Sequence, residues 1–121
     1  MKGEDIKKRC ESIAARVIRM VNYLPKNYPS VAIGQQIVRA GSSVGANYRA
    51  ACRPKSRKDF INKLKIVEEE LDETIYWLEL IAKTNLLPKE KMTFLINESN
   101  EVLSIIVASI TTARRNEKRE K

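Results

Sequence analysis

Arg49, Arg53, Lys55, Arg57, Lys58, Lys63 and Lys65 crowd into one short stretch of chain in which Asp59 is the only acid. Clustered Lys and Arg side chains neutralise phosphates and release the counterions around them, so the chemistry this pattern offers is polyanion binding. Arg49 and Arg53 stand four residues apart, a like-charge spacing that an isolated helix disfavours and an acidic partner would relieve. The plainer alternative is a solvated corner of the surface. Charge along the chain favours binding. Residues 1–65 hold 15 Lys/Arg against 4 Asp/Glu, residues 66–121 hold 8 against 11, and the total is a net charge of +8 with a pI near 9.7. A concentrated basic surface draws polyanions in a way that an evenly spread surplus does not. Arg49, Arg53, Lys55, Arg57, Lys58 and Lys63 are therefore the expected nucleic-acid-binding residues. Lys7, Lys8 and Arg9, or the Arg114-Arg115 tail, are the other places where such a site could lie.

Glu68, Glu69, Glu70, Asp72 and Glu73 form the opposite block, with Glu79 beyond it. Carboxylate-bridged metal sites in helical bundles draw acids from facing helices and add Glu-x-x-His motifs. Here the acids sit in one segment and the chain has no histidine at all. No metal or cofactor is expected, and the acids are read as partners for basic residues on another helix or another subunit, or as a solvated face. The lack of histidine also removes the usual general base and the usual activator of a Ser or Cys nucleophile. Cys10 and Cys52 lie on or beside apolar stripes, where free cysteine behaves as a small hydrophobe. Basic neighbours could lower the pKa of Cys52, but it has no base to work with. Ser42 and Ser43 lie among small residues and are expected at a close helix contact. Tyr48, Tyr76 and Trp77 could stack on bases, yet at helical spacing they are read as core or interface residues. No enzymatic activity is expected.

The elements that must position these side chains are helices. Ile6, Cys10, Ile13, Val17, Met20 and Leu24 recur at spacings of four and three. Pro25 to Pro29, Pro54 and Pro88 punctuate the chain, and the spacing predicts helices over about 5–24, 30–53, 57–84 and 89–114, with a charged, fraying tail over 115–121. The second segment carries Ile37, Val44, Tyr48 and Ala51 among small residues such as Gly34, Gly41 and Gly45, which permit close approach at a cost in helix propensity. Ser56 followed by Asp59 reads as a capping-box-like start to the third. Its seam is Phe60, Leu64, Val67, Leu71, Ile75, Leu78 and Ile81, and the fourth presents Leu95, Ile96, Val102, Leu103, Ile106 and Ile110. Short connections between long amphipathic helices favour antiparallel neighbours, and hence one all-α domain over 1–121, an up-down-up-down four-helix bundle. No apolar run reaches the length of a membrane span, no signal segment is apparent, and two isolated cysteines fit a reducing cytoplasm.

The stretch from Gln36 to Asn47, most specifically Gln36-Ile37-Val38-Arg39-Ala40 with Ser43-Val44-Gly45-Ala46-Asn47, followed by Arg53, Ser56, Asp59-Phe60 and Leu71-Asp72-Glu73, resembles the bacterial four-helix-bundle family of the 23S rRNA intervening-sequence proteins. Many members continue from that Asn with Ile-Ala-Glu-Gly, where this chain has Tyr48-Arg49-Ala50-Ala51, exchanging an acidic patch for a basic one. The resemblance implies a homopentamer of bundles forming a barrel around a central channel, with no catalytic activity. A related branch looks like the accessory variability determinant of diversity-generating retroelements, a basic pentamer that binds nucleic acid and a reverse transcriptase. The expected function is a non-enzymatic, oligomeric nucleic-acid-binding or accessory protein. The alternative is an oligomeric scaffold whose basic surface serves an acidic protein partner.

Overall fold

The computed structural model describes residues 3–120 and is a four-helix bundle, with α1 over Gly3–Val21, α2 over Tyr28–Ala51, α3 over Arg57–Lys83 and α4 over Lys89–Glu120. Local chemistry explains each boundary. The Asn27 side chain accepts a hydrogen bond from the Ser30 amide at 3.0 Å. Pro29 sits in the first turn, where no amide donor is needed, so α2 starts two residues before the expected position. Ser56 caps α3 by accepting from the Asp59 amide at 3.0 Å, as its spacing predicts. At the far end of α3, Asn85 takes a positive φ of 59°. The Asn85 and Leu86 amides there donate back to the Ala82 and Ile81 carbonyls. This is a Schellman closure with Asn in the place glycine usually takes. α1 stops at Val21, but tight turns carry the chain on to Leu24, which is buried.

The apolar seams meet in one core. Ile13, Val17, Ile37, Val44, Leu64, Leu71, Leu78, Ile81, Met92 and Ile106 are all sealed from solvent. Each helix packs on the next one in the chain, and α1 closes against α4. The small residues of α2 set how near α1 can come. A Cβ built on Gly34 would stand 3.2 Å from Val21 Cγ1, and one on Gly41 would stand 3.2 Å from three carbons of Val17. Gly45 is looser, its nearest neighbours lying at 3.8 Å, beside Ala14 and Cys10. Ser42 is exposed and takes no part in that contact, whereas Ser43 is half-buried and receives the Asn47 side-chain amide at 2.8 Å.

Ion pairs among the described residues tie helices together. Arg9 of α1 donates to Glu98 through two nitrogens, at 2.9 and 2.8 Å, and to Glu101 at 2.8 Å, both acids on α4. Arg39 of α2 donates to Glu70 at 3.1 Å and Glu73 at 2.6 Å on α3. Part of the acidic block is therefore relieved within the bundle, by an arginine that charge clustering does not single out. The fourth helix departs most from expectation. It continues through Glu120, past the expected end at 114 and through most of the stretch expected to fray; Lys121 lies outside the described residues.

Candidate nucleic-acid interface

The six expected cations occupy the corner where α2 passes into α3. Arg49 is on the last turn of α2, Arg53 and Lys55 lie in the connection, and Arg57 and Lys58 open α3; all five are exposed. Lys63, a turn further on, is half-buried and held by Asp59 Oδ1 at 3.3 Å. Asp59 also accepts the Lys55 backbone amide through Oδ2 at 3.0 Å. That amide, followed by Lys63, holds the Asp59 carboxyl below the usual carboxylate range. The only acid in the stretch thus spends its charge on the helix start and on Lys63, leaving Arg49, Arg53, Lys55 and Lys58 pointing to solvent with no ion-pair partner among the described residues. Arg57 is not a free cation.

The helical continuation of α4 borders this corner through Asn116. A groove of about 980 Å³ runs between the start of α3 and the second half of α4, with Lys55 and Arg57 on one side and Thr112 and Asn116 on the other. Its floor is Phe60, Ile105, Ala108 and Ala113. Further round α4, Arg114, Arg115 and Lys118 surround a separate, smaller hollow with Thr111. At about 100° per residue these positions point well away from the groove residues of the same helix, so the 49–63 cluster and the Arg114-Arg115 tail present separate surfaces. Apart from Asn116, residues 114–120 are the good helix formers Arg, Glu and Lys, and cations at the negative end of the helix dipole favour the continuation. Of the third alternative, Arg9 is engaged by Glu98 and Glu101, while Lys7 lies close enough to Cys52, beside the corner, to act on its thiol.

The remaining chemical candidates resolve as follows. Glu68, Glu69 and Asp72 line a hollow with Lys65, Leu103 and Val107. No group of three or more His, Cys, Asp or Glu among the described residues could hold a metal ion. Burial pushes the Cys10 thiol up to about 12. The Cys52 thiol is also raised, with burial the largest cause even though the residue as a whole is exposed; Lys7 opposes the shift only in part. The basic neighbours that could lower the Cys52 pKa do not outweigh that burial. Tyr48 is buried. Trp77 is half-buried and donates Nε1–H to Glu73 at 3.0 Å. Tyr76 is 56% exposed and meets Trp77 edge to face at 5.0 Å, so it belongs to the surface and not to the core. None of these rings lines the basic corner. The aromatic side chain that does is Phe60.

Fold and site together define a small four-helix bundle with one strongly basic corner. The chain belongs to the 23S rRNA-intervening sequence protein family, whose model matches residues 3–108. It is also similar, at 35% identity and a TM-score of 0.81, to a crystallised protein of unknown function from the S23 ribosomal protein family of Bacteroides thetaiotaomicron VPI-5482. That match covers 87% of this chain and 97% of the other. No curated protein matches the sequence. These relatives support the intervening-sequence family and lend nothing to the retroelement branch.

Proposed function

We propose that the chain is a non-enzymatic, oligomeric nucleic-acid-binding protein that grips RNA or DNA phosphates through the corner formed by Arg49, Arg53, Lys55, Arg57, Lys58 and Lys63. The observation that carries this reading is the exposure of Arg49, Arg53, Lys55 and Lys58 with no ion-pair partner among the described residues. Long flexible side chains at such a corner reach phosphates at variable spacing and read no sequence, so binding is general to nucleic acids. An up-down-up-down arrangement accounts for the corner. It puts the α2–α3 connection and the end of α4 at one end of the bundle, and the stepwise retreat of α2 contacts along α1, from Val21 to Val17 to Ala14, supports it. A pentameric barrel is the assembly the resemblance implies. Large apolar side chains left in solvent, including Tyr28 at 86% and Val31 at 54%, supply surface for contacts between subunits. A cytoplasmic location belongs to the same reading. Among the described residues no helix is long and apolar enough to cross a membrane.

The test replaces Arg53, Lys55 and Lys58 together with Glu. These side chains lie off the apolar seams, so helicity and oligomer size should be unchanged while filter binding of generic RNA and DNA is lost. Equal affinity of variant and wild type would place the site elsewhere. Absence of binding by wild type would favour the scaffold with an acidic protein partner.

A further inference from the structure

The basic corner differs from a plain phosphate-binding surface in having an apolar groove built into it. Its apolar lining is Phe60, Ile105, Ala108 and Ala113, and no acidic side chain among the described residues lines it. Ser109, Thr112 and Asn116, on the same stripe of α4 as Ile105, add hydroxyl and amide groups to the lining. The Ser109 hydroxyl donates to the Ile105 carbonyl at 2.9 Å, leaving its oxygen able to accept. Thr112 and Asn116 are exposed. An apolar hollow with Lys55 at one edge and hydrogen-bonding groups among its lining offers what an unpaired nucleotide needs: a surface for the base, polar groups for its edge and a cation for its phosphate.

Resting on the nucleic-acid reading above, the geometry points to this groove as a seat for unpaired bases, so that the protein selects single-stranded over duplex nucleic acid. A duplex keeps its bases stacked between two phosphate backbones and offers a convex surface, which meets the cations but leaves the groove empty. A single strand rotates a base inward while its phosphates stay beside Lys55 and the neighbouring cations. Stacking and desolvation of the base then add to the phosphate contacts that both forms share. A concave apolar surface with a cationic rim would also accept an acidic amphipathic helix, and the experiment below distinguishes the two.

The probes are a short fluorescein-labelled oligothymidine strand and the same strand annealed to oligoadenosine, titrated by anisotropy at one salt concentration. Wild type should bind the single strand at least about five-fold more tightly than the duplex, the factor that even one weakly stacked base provides. Ala108→Leu should bring the strand down to duplex affinity by filling the groove. Ala108 is exposed, so the substitution leaves the core, the duplex affinity and the oligomer size as they are. Phe60→Leu, which keeps an apolar side chain and removes the ring, should lose most of the preference as a second and independent check. Equal affinity of wild type for both probes, or a preference that survives both variants, would overturn the groove reading while leaving the basic surface intact. Failure of both probes to bind at low salt would overturn the nucleic-acid reading itself and leave the groove to an acidic helix.

Discussion

Gly41 and Gly45 look alike in the sequence and carry opposite consequences. At Gly41 an added Cβ would press on three carbons of Val17 at 3.2 Å, so Gly41→Leu should cost about 1–3 kcal/mol by overpacking despite the gain in helix propensity. At Gly45 the same atom would meet nothing closer than 3.8 Å, and Gly45→Ala should stabilise by up to about 1 kcal/mol. Thermal unfolding of the two variants checks both signs. Sequence periodicity reveals that α2 is approached closely but cannot rank its small residues. Ser42, expected at a packing position, is exposed. Arg9 and Glu98 give a second test. Arg9 holds the Glu98 carboxyl below its ordinary value, so this pair stabilises the fold above the usual Glu range and loses its contribution as pH falls through the lowered folded value. Glu98→Gln should therefore destabilise by roughly 1 kcal/mol at neutral pH. The difference from wild type should vanish in acid, as read by denaturant melts along a pH series.

Elements defined by apolar periodicity are legible in the sequence almost throughout, because buried seams recur every three or four residues and caps such as Ser56 announce themselves. The end of α4 is not. Beyond Ala113, the last of its buried apolar residues, the stretch carries no seam, and periodicity reports only helices that pack. Long-range pairing is equally hidden, since nothing local links Arg39 to Glu70 and Glu73. The clustering of cations can be read from spacing alone. The groove beside them cannot, because it requires Phe60 and α4 residues some fifty positions later to face each other. The added length of α4 has a measurable consequence. Changing Arg114, Arg115 and Lys118 to Ala should weaken nucleic-acid binding without unfolding the bundle. It should also reduce the slope of log affinity against log salt by about 0.7–0.9 for each phosphate that is no longer neutralised. An unchanged slope would restrict the interface to the α2–α3 corner.

At the scale of the whole molecule, charge and assembly act together. A ring of subunits repeats the basic corner, and individually weak phosphate contacts then add through effective concentration. Light scattering should accordingly report a species several times the 13.9 kDa chain mass, and a monomer at micromolar concentration would remove the barrel. The central claim is that the corner binds phosphates electrostatically, and it is tested most directly by the affinity for generic RNA and duplex DNA over a range of salt concentrations. Counterion release requires log affinity to fall linearly with log salt, at roughly −0.9 per neutralised phosphate for duplex DNA and roughly −0.7 for single strands. The account predicts a steep negative slope corresponding to several phosphates for both nucleic acids. Binding that is absent at low salt, or that persists unchanged as salt rises, would contradict it.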